Sequence, residues 1–208
     1  MASHSTKSSR TASSHRHETM NSDPVQIRSR LLEIVKEKSL KLAPPDQPFV
    51  LSSGLTSTYY INGKKTTGDP EGLFCLARLI FEAIKDASVE AVGGPTLGAD
   101  PIVGAVSLLS HLTGQPIPLF IVRKEAKKHG TRELVEGPDI AGKKVAIVED
   151  VVTTGSSVFK AIDAVRELGC EVVKVIVLVD REQGGREAFA AAGIPYFPIF
   201  TISELLNP

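Results

Sequence analysis

The stretch KKVAIVEDVVTTGSSVFKAI, residues 143 to 162, decides how this chain is read. A run of small apolar residues ends in two adjacent acids, Glu149 and Asp150. A turn of hydroxyl-bearing residues and glycine follows, Thr153-Thr154-Gly155-Ser156-Ser157, and then an apolar pattern at helical spacing. KVAIV (144–148) predicts a strand, and SVFKAIDAVRELG (157–169) predicts a helix ending at Gly169.

Two unpaired carboxylates in low dielectric would each cost several kcal/mol. Glu149 and Asp150 are therefore expected to face solvent, a cation or hydroxyl donors rather than form a buried core pair. The turn lies where the helix begins, so its amides, its hydroxyls and the helix dipole all favour an anion. Gly155 lets the backbone approach closely. The pattern describes a ligand with a phosphate at one end and vicinal hydroxyls at the other, as in a ribose 5-phosphate.

Working outward, the same rhythm repeats. VEAVGG (89–94), PLFIVR (118–123), VVKVIVLVD (172–180) and PYFPIF (195–200) predict further strands. Helices are predicted from Asp69-Pro70-Glu71, from Asp100-Pro101 to about Leu112, near 185–192, and from Ser203. Strands that are apolar throughout and alternate with amphipathic helices predict an α/β fold, a parallel central sheet flanked by helices. Ligands bind such sheets beyond the carboxyl ends of the strands. Upstream, a helix is predicted from Asp23-Pro24 to about Leu40, and PFVLSSGLTSTYYING (48–63) reads as two short extended pieces around a glycine turn. The expected division is a disordered Ser- and His-rich tail over 1–22 and one domain over 23–208, with a small N-terminal hood mainly at 23–68 and a core at 69–208.

Composition narrows the function. The 208 residues carry 24 Lys and Arg against 24 Asp and Glu, so no global basic field would draw nucleic acid or a membrane. No apolar run approaches a membrane span, and the tail has no apolar signal region, although Arg10 and Arg16 faintly resemble a transit peptide. Cys75 and Cys170 lie in apolar-periodic segments without metal-ligand spacing, which predicts reduced core thiols and a cytoplasmic setting. No G-x-x-x-x-G-K-[ST] and no G-x-G-x-x-G after a strand occurs, which speaks against a nucleoside triphosphatase or a dinucleotide enzyme.

Three further constellations stand at strand ends. RKEAKKHGTR (123–132) carries five Lys and Arg against one acid. Arg123/Lys127 and Lys124/Lys128 are like-charge i,i+4 pairs, each costing a helix about 0.2–0.5 kcal/mol, so a mobile loop awaiting a polyanion is predicted. Gly130 and Gly137 would hinge it. Arg181, after Asp180, is either a surface ion pair or a bidentate grip on a planar carboxylate. GGPTLGADP (93–101) is a glycine-rich turn able to approach pyrophosphate. Tyr59 and Tyr60 read either as packing residues or as part of a base pocket.

VAIVEDVVTTGSSV resembles the 5-phosphoribosyl 1-pyrophosphate (PRPP) signature of type I phosphoribosyltransferases. FVLSSGLTSTYYIN, RKEAKKHGT and VDREQGG resemble, in order and spacing, three segments of the orotate phosphoribosyltransferase family. The resemblance runs from about residue 49 to 185. It implies the type I phosphoribosyltransferase fold and the conversion of orotate and PRPP to orotidine 5′-monophosphate and pyrophosphate in pyrimidine synthesis, with Mg²⁺ as cofactor. Mg²⁺ would be held mainly by PRPP and water rather than by protein ligands.

The residues implied to bind PRPP are Arg123, Lys124, Lys127, His129, Glu149, Asp150, Val151, Val152 and the turn Thr153, Thr154, Gly155, Ser156 and Ser157. Of these, Glu149, Asp150, Lys127 and His129 would be catalytic. Thr153 and Arg181 would contact orotate. The resemblance further implies a homodimer in which the loop closes over the neighbouring active site, with Lys124 acting in trans. Leu97 and Ser52 stand where some family members carry lysines, which shifts the expected pyrophosphate contact toward the loop. Two rivals remain: a phosphoribosyltransferase for another base, and a PRPP-sensing regulator without catalysis.

Overall fold

The computed structural model describes residues 23–44, 46–50, 56–125 and 134–207. The expected tail, Ser52, Lys127 and His129 lie outside the described residues. Helix α1 (Pro24–Ile34) is capped by Asp23, which accepts from the Val25 N–H, and runs into one π-helical turn, Val35–Ser39. The predicted helix thus ends one residue early, because Leu40–Leu42 turns into a strand, β1. Two short strands, β2 (Phe49–Val50) and β3 (Thr56–Ser57), pair antiparallel. β4 (Tyr59–Ile61) pairs antiparallel with β1, a partner the sequence pattern did not reveal.

A short helix, α2 (Lys64–Thr67), leads into α3 (Pro70–Ile84), where Asp69 accepts from the Gly72 N–H at 2.9 Å and Pro70 occupies the first turn. The chain then alternates: β5 (Ala91–Pro95), α4 (Asp100–Leu112), β6 (Leu119–Val122), β7 (Val135–Glu136), β8 (Lys144–Val152), α5 (Ser156–Glu167), β9 (Glu171–Asp180), α6 (Gly185–Ala191), β10 (Tyr196–Thr201) and α7 (Ile202–Leu206). All five predicted strands beyond residue 88 and the helices between them are present. They form one sheet of order β10-β9-β8-β5-β6-β7, parallel except for the antiparallel β6–β7 pair at one edge.

Side-chain alternation along β8 shows why its residues are apolar on both faces. Ala146 and Val148 join a core with α1, α3 and α4, through Leu31, Leu76, Ile80 and Ile102. Val145 and Ile147 join a second core with α5 and α6, through Ile162, Val165 and Phe189. Both cysteines are buried and free.

Strand order fixes where a ligand can sit. From β5 the chain moves outward to β6, then returns to β8 on the other side of β5 and continues to β9 and β10. The order reverses between β5 and β8, the place where an open parallel sheet forms a crevice. Pairing of β5 with β8 stops at Gly93↔Ile147, whereas β9 stays paired with β8 as far as Val152↔Asp180. The last residues of β8 therefore project past β5 with one edge unpaired by any strand. Glu149 and Asp150 lie within that projection, inside the strand rather than beyond its end.

Candidate active site

Both acids are buried, Glu149 at 6% and Asp150 at 5% exposure, against the expectation that such a pair stays open. They nevertheless meet the partners the chemistry demands. Lys64 Nζ donates to Asp150 Oδ2 at 3.0 Å, and Ser157 Oγ lies 3.4 Å from Glu149 Oε2. Two backbone amides contribute as well: Asp150 N–H donates to Glu149 Oε1 at 3.1 Å, and Val151 N–H to Asp150 Oδ1 at 3.0 Å. Burial, and then the neighbouring Asp150 charge, push the Glu149 carboxyl up to about 8. One proton at Glu149 relieves the repulsion that made a buried pair improbable from sequence.

The cover over the acids is backbone. A Cβ on Gly98 would stand 2.3 Å from both Asp150 Oδ1 and Glu149 Oε1, so only glycine lets the 96–99 turn lie there. On the other side, a Cβ on Gly63 would stand 2.8 Å from the Asp150 Cβ. The Thr96–Leu97 peptide in this turn is cis, and the Leu97 side chain is exposed.

After the acids, the side chains of Val151 and Val152 turn into the two cores, so within the predicted set they place their neighbours. Gly155 takes φ +84° and starts α5 with no side-chain cap. The first-turn amides are thus left for a ligand, beside the exposed Thr154, Ser156 and Ser157. A cavity of about 350 Å³ opens next to this turn, lined by Thr96, Arg123, Lys124, Ser156, Ser157 and Lys160 among others. Arg123 and Lys124 follow β6, and Arg123 lies 3.6 Å from Glu136 on β7. A second cavity, about 440 Å³, lies near the far end of α5 beside Leu134, Pro138 and Leu168, away from the acids.

Arg181 stands at the end of β9, where its N–H donates to the Val152 carbonyl at 2.9 Å. The corner is tied by the buried Asp180, whose carboxylate accepts from the Glu182 N–H at 2.8 Å. The Arg181 guanidinium lies 5.4 Å from the centre of the Tyr59 ring, and among the described residues its buried Nε and Nη2 have no hydrogen-bond partner. Two unmatched donors of a planar fork suit a planar carboxylate. Tyr59 is thus the tyrosine beside Arg181, while Tyr60 packs on Phe49 with ring centres 5.9 Å apart.

The structure therefore gathers Arg123, Lys124, Glu149, Asp150, Thr153 to Ser157 and Arg181 at the carboxyl ends of β6, β8 and β9. Lys64 and Lys160 were not singled out from sequence. Lys160 was legible in retrospect, one helical turn beyond Ser156 and Ser157 on the same face. Lys64 was not, because its link to Asp150 spans 86 residues.

Residues 69–190 match the family described as "Phosphoribosyl transferase domain". The orotate phosphoribosyltransferase of Aquifex aeolicus is 48% identical over 86% of this chain and 97% of its own length. The chain belongs to the orotate phosphoribosyltransferase family. A solved orotate phosphoribosyltransferase from Mycobacterium tuberculosis is 38% identical and superposes with a TM-score of 0.76, covering 87% of this chain and 99% of that one. The same enzyme in complex with PRPP is 35% identical over 86% of this chain and 98% of that one, with a TM-score of 0.71. The type I fold expected from the resemblance is the fold observed. Among the described residues, no helix is long and apolar enough to cross a membrane.

Proposed function

We propose that this chain transfers the 5-phosphoribosyl group from PRPP to orotate in pyrimidine biosynthesis, releasing pyrophosphate and forming orotidine 5′-monophosphate. Beside the family relationship, the observation that carries this reading is the position of the acid pair. It lies at the point where strand order reverses, with Ser157 of the uncapped helix start 3.4 Å from Glu149 and Arg181, whose donors are unmatched, at the end of the neighbouring strand β9.

The 5-phosphate would sit on the amides and hydroxyls of Thr153 to Ser157, supplying remote binding energy that positions C1′. Glu149 and Asp150 would hold the ribose 2′ and 3′ hydroxyls, and the Asp150 carboxylate would stabilise positive charge growing on the ring as the bond to pyrophosphate loosens. A ring nitrogen of orotate then bonds to C1′ as the C1′–O bond to pyrophosphate breaks, and the proton of that nitrogen passes to pyrophosphate or water. Arg181 would grip the orotate carboxylate, with Thr153 also at the base. Arg123, Lys124 and Lys160 line the cavity where pyrophosphate would leave, and Lys127 and His129 would join them on loop closure.

Mg²⁺ would neutralise the pyrophosphate charge. The donors here suit it: hard carboxylate oxygens at the ribose end, and no thiol or imidazole among the residues lining the cavity. Oxygens of PRPP and water would hold it.

We further place the enzyme in the cytoplasm as a homodimer, with Lys124 of one subunit serving the other. Lys124 already faces a cavity of its own chain, so the trans role needs its own test. The substrate is tested by offering orotate, uracil, hypoxanthine and adenine separately with PRPP and Mg²⁺. Turnover of orotate alone supports the reading. Turnover of another base would reassign Arg181, and PRPP binding without turnover of any base would identify a sensor.

A further inference from the structure

Lys64 begins α2 immediately after β4, in the N-terminal segment, yet its ammonium ends 3.0 Å from a carboxylate oxygen of the core strand β8. The contact is unequal: the Lys64 side chain is 52% exposed and that of Asp150 only 7%. The backbone that carries Lys64 is fixed against the core. Gly63 lies directly against Asp150, where a Cβ would stand 2.9 Å from Oδ2. The turn before α2 is tied by Asn62, whose N–H donates to the Ser39 carbonyl at 3.0 Å and whose side chain accepts from the Lys64 N–H at 3.2 Å. Below it, the buried hydroxyls of Ser39 and Thr66 bond at 2.6 Å.

Asp150 is thereby held from two directions. Its Oδ1 accepts from the Val151 N–H and its Oδ2 from Lys64. Among the described residues this ammonium is the one cation paired with either member of the acid pair. We infer that Lys64 is a positioning residue, fixing the Asp150 carboxylate in the orientation that receives a ribose hydroxyl. The inference rests on the reading of Glu149 and Asp150 as the ribose-holding acids. It also gives the N-terminal segment a part in ligand binding through Asp150, where a shift of the β4–α2 turn would be felt.

The test is a double-mutant cycle read by calorimetric binding of PRPP with Mg²⁺, using the full chain, Lys64→Met, Lys64→Arg, Asp150→Asn and Lys64→Met/Asp150→Asn. Lys64→Met should weaken PRPP binding about tenfold, Lys64→Arg should recover most of it, and Lys64→Met should add almost nothing once Asp150 is Asn. Thermal melting of each variant reports the fold separately. Wild-type affinity in Lys64→Met, or failure of Lys64→Arg to rescue, overturns the role. An equal loss in both backgrounds also overturns it, since Lys64 would then act without Asp150. If Asp150→Asn itself binds PRPP normally, the ribose reading fails first and the two failures are told apart.

Discussion

Gly98 and Asp150 share a space that admits no further atom: a Cβ on Gly98 would stand 2.3 Å from Asp150 Oδ1. Gly98→Ala must therefore displace either the 96–99 turn or the acids, and such overpacking costs about 1–3 kcal/mol. We expect kcat/KM for PRPP to fall about tenfold or more. A Gly98→Ala enzyme with wild-type kcat/KM would show that turn and acids move independently.

The Glu149 carboxyl, raised to about 8 by burial and by Asp150, makes stability depend on pH. The folded chain keeps a proton that the unfolded chain loses near the ordinary glutamate value of about 4.3. Between these values the folded state binds more protons, so this group lowers stability as pH rises, and its penalty is complete above about 8. Glu149→Gln removes the effect. The ligand-free variant should melt higher than wild type by a margin that widens from pH 5 to pH 8. A margin that stays constant with pH contradicts a raised Glu149.

Arg181→Lys keeps the charge and loses the fork. We expect the KM for orotate to rise about tenfold or more while the KM for PRPP changes little, as measured by steady-state kinetics. Equal rises in both would place Arg181 in general site architecture rather than against the substrate carboxylate.

The dimer proposal separates two activities within one site. A reassociated mixture of Lys124→Ala and Asp150→Asn subunits should regain up to about a quarter of wild-type activity if loop and acids belong to different chains, since statistical mixing leaves half of the dimers mixed and each with one intact site. Purified heterodimers without regained activity would place Lys124 in its own subunit's site.

Much of this was readable in the chain because the signals were local. Asp69-Pro70 and Asp100-Pro101 mark helix starts by side-chain capping or by a pre-set proline dihedral, and both helices begin there. Apolar runs bounded by glycine gave the strands, and the acid pair with its hydroxyl turn gave the ligand edge. What escaped depended on pairing at a distance. β8 continues through Glu149 and Asp150 because β9 keeps supplying hydrogen bonds to Val152, which no pattern within 144–152 announces. β1 escaped because three residues carry too short an alternation to read, and its partner β4 lies about 20 residues away. The burial of the acids escaped for the same reason: Gly63, Lys64 and Gly98 reach them from two other segments.

The most direct measurement follows orotate absorbance in the presence of PRPP and Mg²⁺, with wild type and Asp150→Asn side by side. Wild type should consume orotate steadily with matching pyrophosphate release. The rate in Asp150→Asn should be at least about a hundredfold lower, with little change in melting temperature. Folded wild-type protein that leaves orotate untouched, or an Asp150→Asn enzyme that turns it over at the wild-type rate, would contradict the proposed function.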